Sequence, residues 1–255
     1  MDRKKYQLLG IFFYYILAAL FIAWLKLGYS YGTLFFLAIP AFYVTSQNWS
    51  IFKKTFLFSL IISIPMVMVF DYIGTLSKAW LEIVSSGIRI LGVVPIETFF
   101  WAFCVAYFSI AFYEYFFDKD KIKTVFSKNI KYLIFILITL VLIFGLVFIV
   151  DKEILVVNYF YTYFAIGVFV IPPLITIIKY PRLMQKIIYQ GLYFLILSII
   201  YEITALYSGQ WTFPGQYVGF VQIFRFSFPL EEFLWLAFCV PSIIAIYEIF
   251  ADDRE

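Results

Sequence analysis

The sequence predicts an all-α integral membrane protein of about eight transmembrane helices, arranged as two tandem four-helix repeats of the same orientation. Three observations carry this expectation. Of 255 residues, 64% are hydrophobic and only 14% charged, whereas water-soluble domains carry roughly a quarter charged residues. Mean hydropathy is +0.96. Apolar runs close to the ~20 residues that span a bilayer follow one another along the chain. Within those runs, a set of acids, prolines and tryptophans recurs at a nearly constant offset.

The predicted spans are 8–27, 32–47, 55–76, 95–117, 131–150, 156–178, 184–207 and 229–250, the second being the shortest. The first is too long, and too rich in Phe and Tyr, for a cleaved signal peptide. Together the spans use most of the chain and leave no soluble domain. Lys and Arg on alternate loops set the orientation. With the N-terminus inside, the cytoplasmic segments hold Arg3, Lys4, Lys5, Lys53, Lys54, Lys119, Lys121, Lys123, Lys128, Lys131, Lys179, Arg182, Lys186 and Arg254. The other side holds only Lys26, Lys78, Arg89, Lys152 and Arg225. The bias predicts a multi-pass protein of the cell membrane with both termini cytoplasmic. A seven-span arrangement, with 32–47 re-entrant, would reverse every later loop and spoil the bias.

The repeat is read from ordered pairs. Pro95, Glu97, Trp101 and the pair Tyr113-Glu114 recur 134 residues later as Pro229, Glu231, Trp235 and Tyr247-Glu248. Asp71 and Trp80 recur at an offset of 131 as Glu202 and Trp211. The change of offset implies a three-residue insertion in the second outer loop. Residues 1–125 and 126–255 are the expected repeats. An even number of spans in each gives both the same orientation, with a pseudo-twofold axis along the membrane normal and a site near their interface.

Acids within spans are rare, because each costs about 2.5–3.5 kcal/mol at a helix centre, and they mark function by default. Asp71 and Glu202 fall about five residues, or roughly 7–8 Å, below the outer ends of their helices. Glu97, Glu231 and Glu232 open the fourth and eighth helices on the same side. Pro95 and Pro229 are structural here, since Pro followed by Glu is also an ordinary helix start. Glu97 shares a helix face with Trp101, and Glu231 with Trp235. Glu232 lies about 100° round from Glu231 and points elsewhere. Glu114 and Glu248, beside Tyr at the opposite helix ends, are expected to reach the headgroups. Arg89 and Arg225 read as interfacial anchors.

Composition also excludes chemistry. The chain has no His, so no imidazole serves a metal, a haem or a Ser-His pair. Cys104 and Cys239, both in apolar runs, make no disulfide framework or thiolate cage. A net charge of +3 gives no footprint for nucleic acid. No metal or cofactor is expected. What remains is proton chemistry on an apolar substrate: a carboxylic acid protonates an alkene, aromatic faces stabilise the cation, and a second carboxylate removes a proton. Trp80, Trp101, Trp211 and Trp235, next to the acids, are the expected substrate-binding residues.

The segments "PIETFFW" at 95–101, "FPLEEFLW" at 228–235 and "YEITALYSGQWTFPGQYVGF" at 201–220 resemble the membrane-embedded lycopene cyclases of the heterodimeric type, here in fused two-repeat form. The resemblance spans nearly the whole chain and is better in the second repeat. The first has Thr98 where the motif has its second Glu, and its loop "DYIGTLSKAW" lacks the Phe-Pro after Trp80. The resemblance implies a redox-neutral cyclisation of the ψ-ends of lycopene, or a related linear carotenoid, to β-rings. Its Pro-x-Glu-Glu acids fall on Glu231 and Glu232. Glu231 is then the expected leading acid/base, with Glu97 or Glu232 as partner and Asp71 and Glu202 in support. Membrane lipid is the expected surrounding. A cyclase of longer carotenoids, a carotenoid hydratase and a proton-coupled transporter are the alternatives.

Overall fold

In chain order the helical rods are α1 (Arg3–Leu25), α2 (29–46), α3 (Trp49–Leu76), α4 (Ile96–Phe116), α5 (Ile130–Val150), α6 (Phe160–Lys179), α7 (Pro181–Tyr207) and α8 (Leu230–Phe250). The computed structural model describes residues 3–84, 86–118 and 126–252. Lys119, Lys121, Lys123 and Arg254, counted above toward orientation, lie outside them, as does residue 125 at the expected repeat boundary. The protein is mostly helical, and seven of the rods, all but α2, are long and apolar enough to cross a membrane. The exception has a compositional cause: α2 opens on Tyr29-Ser30-Tyr31-Gly32-Thr33, which dilutes its hydropathy. It nevertheless lies antiparallel to α1. Arg3 Nη2 donates to Gln47 Oε1 at 3.0 Å near one end, and Tyr14 OH to the Phe35 carbonyl at 2.9 Å nearer the middle.

Proline placement explains the irregular turns. Among the described residues three π-helical segments occur, at Leu34–Ala38, Met66–Asp71 and Ala165–Val170. They lie beside Pro40, Pro65 and Pro172-Pro173, whose missing N–H groups interrupt the helical ladder. Apolar surroundings demand that the freed carbonyls find donors within the protein. Tyr15 OH donates to Phe36 O, and Ser242 Oγ to Val168 O. The outer face is apolar: α5 has a mean hydropathy of 3.4 yet is largely exposed, with Ile149 82% accessible. A rod that is apolar all round and uncovered by protein belongs in lipid.

Short strands close one end of the bundle. They are β1 (Leu81–Glu82), β2 (Arg89–Ile90) and β3 (Val94–Pro95) between α3 and α4, then β4 (Trp211–Thr212), β5 (Phe220–Ile223) and β6 (Phe226–Pro229) between α7 and α8. The pairs β2–β3 and β5–β6 are hairpins, whereas β1 pairs antiparallel with β4, matching Glu82 with Trp211. The two long loops therefore meet. Tyr217 OH donates to Ala79 O at 2.9 Å. Gly215 lies so close to Lys78 that a Cβ there would stand 2.6 Å from its carbonyl oxygen.

Both described chain ends lie at the opposite, terminus end, and here the structure corrects an expectation. Glu114 and Glu248 do not reach outward; they are 4% and 2% exposed. Tyr113 OH donates to Glu248 Oε1, and Tyr247 OH to Glu114 Oε1. Each Tyr-Glu pair thus completes the other. The lysines cross in the same way: Lys54 pairs with Asp252 at 3.0 Å, and Lys186 with Asp118 at 3.1 Å. Lys54 is buried, not the loop charge the sequence suggested, and its ammonium also lies 3.8 Å from Glu114. Carboxylate oxygens of Glu114, Asp118 and Asp252 lie within 4.8 Å of one another; Lys54 supplies positive charge among them. The physical reason for burial is mutual satisfaction, since a buried acid without a donor is costly.

Removing either phenol leaves a buried carboxylate short of its donor. Tyr113→Phe and Tyr247→Phe should each destabilise the protein by about 1–2 kcal/mol. Thermal unfolding in detergent checks this, and equal losses are expected from the two. A neutral result in both would mean the crosswise bonds contribute nothing.

Candidate active site

At the strand end, two tryptophans fold back over the helices that precede them. Trp80 Nε1 donates to Asp71 Oδ1 at 3.1 Å, and Trp211 Nε1 donates to Glu202 Oε1 at 3.1 Å. Asp71 closes the π-turn that follows Pro65, a local departure that turns a side chain off its helical course. The backbone must be bare for Trp80 to lie down: a Cβ on Gly74 would meet Trp80 Cζ2 at 2.3 Å. Each indole then packs on a tyrosine from the other half of the chain. Trp80 meets Tyr161 edge-on at 4.9 Å, and Trp211 meets Tyr29 at 6.1 Å. Trp101 and Trp235 stack directly at 5.5 Å and 23°, where α4 faces α8.

The acids divide by direction. Glu232 faces inward and accepts from Tyr161 OH at 2.6 Å. It also stands close enough to Glu202 for the two carboxyls to interact. Glu202 Oε2 is buried with no N–H or O–H donor. Glu202 thus presents an acceptor oxygen without a donor beside Glu232. Glu231, 1% exposed, turns toward its loop, accepting from Val218 N–H at 2.8 Å and from Thr162 Oγ1. Glu97 has the same task in the first half, accepting from Ser86 N–H at 3.2 Å. The first acid of each Pro-x-Glu start therefore anchors a loop. The next position, Thr98 or Glu232, faces inward.

Asp71 has a companion that sequence reasoning missed. Glu82, on β1, accepts from Thr98 Oγ1 at 3.3 Å, lies close enough to Asp71 for the two charges to interact, and has a buried Oε2 with no donor. Burial pushes the Glu82 carboxyl up to about 7, against the lowering effects of its backbone and Thr98 hydrogen bonds and of the Arg89 charge. The signal was present in the offsets. Glu82 stands 131 residues before Phe213, while Thr98 stands 134 before Glu232. An acid absent from one motif position appears at another.

All of this surrounds one cavity of about 180 Å³. Asp71, Glu82, Glu232, Tyr29, Tyr161 and the four tryptophans 80, 101, 211 and 235 line it. Glu97, Glu202 and Glu231 do not line it directly. The α8 residues on its wall run from Glu232 through Trp235 and Cys239 to Ile246, about 21 Å along the helix axis. Beyond the acids the wall is almost wholly apolar. Typical sites that enclose a whole drug-sized ligand measure ~300–1,000 Å³, so this cavity suits one end group of a long apolar molecule. Compared with known proteins, the chain matches no family, no curated protein and no solved structure.

Gly74→Ala should displace the rigid Trp80 ring, break its bond to Asp71, and cost about 1–3 kcal/mol of stability. Gly145→Ala, with nothing within 4 Å of the new Cβ, is the control and should be neutral. Thermal unfolding with tryptophan emission reads both; equal behaviour would exclude the close contact.

Proposed function

We propose that the chain is a membrane-embedded cyclase of linear carotenoids, converting the ψ-ends of lycopene to β-rings. In this reading all eight rods span the membrane as two four-helix repeats, and the strand end faces away from the cytoplasm. The inverse placement of Trp80 on Tyr161 and Trp211 on Tyr29, and the crosswise Tyr–Glu bonds, support the repeats. The antiparallel course of α2 along α1 supports an even number of spans.

One observation carries the chemistry: Glu232, with Glu202 as its neighbour, stands at the end of an apolar cavity walled by tryptophan. Glu232, which lines the cavity, is the proton donor, and Glu202 is the partner with which it shares the proton. Glu231 and Glu97 hold their loops. Glu232 delivers a proton to the terminal 1,2 double bond of the inserted ψ-end, giving a tertiary cation. The 5,6 double bond closes on that cation to form the ring. Indole faces stabilise the positive charge through their quadrupoles, an interaction that strengthens when water is excluded. Loss of a proton from the ring gives the product, and the atom balance is that of an isomerisation. The size of the cavity favours one substrate end at a time, with the rest of the polyene in lipid.

Expression in lycopene-accumulating bacteria, with pigments separated by chromatography, tests the reading. Monocyclic or bicyclic product is expected, and unchanged lycopene in cells with confirmed membrane expression would overturn it. Glu232→Gln keeps the shape and removes the transferable proton, so turnover should fall by about 10²–10⁴-fold. Glu231→Gln still accepts from Val218 N–H, and should stay within about tenfold of wild type, the cost of weakening one charge-assisted bond. Inactivity of Glu231→Gln beside an active Glu232→Gln would reverse the two roles.

A further inference from the structure

We propose that Glu82 and Asp71 form a second proton-exchange station in the same cavity, and that Glu82 takes the proton off the cyclised cation. The inference rests on the cyclase reading and names a residue outside the Pro-x-Glu starts. Four observations carry it. Both side chains line the cavity that Glu232 lines. Glu82 is held in place twice, by the β1–β4 register that sets it opposite Trp211 and by Thr98 Oγ1. Its Oε2 is shielded and has no donor, leaving an acceptor free to take a proton. Finally, Thr98 stands where the second half has Glu232, and Glu82 stands where that half has Phe213. The first half therefore keeps two inward carboxyls, one moved from helix to strand.

The two stations differ in polarity. In the cyclase reading Glu232 begins protonated, sharing its proton with Glu202. Glu82 feels the Arg89 charge from β2, which favours its carboxylate, while Asp71 on α3 and Tyr29 on α2 are the other titratable groups facing it. In the last step the C–H bond at ring carbon C6 breaks, its electron pair becomes the C5–C6 double bond, and the proton goes to a Glu82 oxygen. The proton from Glu232 now sits in the substrate-derived ring, and the removed one sits on Glu82. Exchange with solvent resets both, and no oxidant or reductant is needed. A carboxyl that titrates near 7 both takes and gives a proton readily at neutral pH.

The full chain in lipid nanodiscs, supplied with lycopene, is assayed across roughly pH 5 to 9, the range that brackets a carboxyl poised near neutrality. Wild-type turnover should fall as the pH drops through about 7, because protonated Glu82 cannot act as base. Glu82→Gln should lose that limb and about 10²-fold of rate. Its products should also change, to a ring isomer formed by loss of a different proton or to an alcohol formed by water capture. Glu82→Asp should turn over slowly and keep the wild-type products. Glu82→Gln with the wild-type pH profile and products would overturn the inference, and so would lost rate with an unchanged pH midpoint and product. Infrared spectra of the same samples without lycopene give the independent reading. A carboxyl C=O band that titrates near neutral pH should vanish in Glu82→Gln. If wild type leaves lycopene unchanged while that band behaves so, the cyclase reading fails and the exchange station stands. If the band is unaffected, the station fails whatever the activity.

Discussion

A carboxylate set among membrane helices must find hydrogen-bond donors inside the protein, because lipid supplies none. That constraint organises this molecule. The buried acids draw their donors from another element, and in two cases from the other half of the chain. Glu114 is served by Tyr247, Glu248 by Tyr113, Glu232 by Tyr161, Glu202 by Trp211 and Asp71 by Trp80. Tyr113, Tyr161 and Tyr247 sit on helices other than those of their acids, so satisfying those acids fixes how the helices stand relative to each other. Hydrophobic association contributes little to this choice, as lipid tails are as apolar as the helix faces.

The two ends meet the constraint differently. At the terminus end, phenols and ammonium groups meet the acids crosswise, with Lys54 over the Tyr247 ring and Lys186 over the Tyr113 ring. The acids there have their donors and ion-pair partners, and the cluster acts as a clamp. At the strand end the pairing is incomplete. Among the described residues, the buried carboxylate oxygens left without donors belong to Glu82, Glu97, Glu202 and Glu231, all at that end. Unsatisfied buried groups call for an explanation, and of these four acids it is Glu82 that faces the cavity.

The helices were legible because hydropathy alone marks them, and the observed rods begin and end within about six residues of the predicted spans. The acid–indole pairs were legible as offsets, and both indoles do reach their acids. Direction was harder to read. Glu231 and Glu232 are adjacent in sequence, and only the course of the 208–228 loop shows which of them it occupies. Glu114, Glu248 and Lys54 read as membrane-surface residues because local sequence cannot show a partner 133 or 135 positions away. Glu82 was hidden by its place in a loop, where an acid usually signals nothing.

The displacement of an acid from helix to strand has a structural consequence. A helical carboxyl such as Glu232 takes its position from its own backbone ladder. Glu82 takes its position from β1, and β1 is ordered by pairing with β4 of the other half. The first-half acid is thus aimed by the second-half loop, just as Trp80 is backed by Tyr161 and Trp211 by Tyr29. Neither half builds its share of the cavity alone. The clamp at the terminus end supplies what this mutual dependence needs, because it holds α4 and α8 together across the same interface on which Trp101 and Trp235 stack.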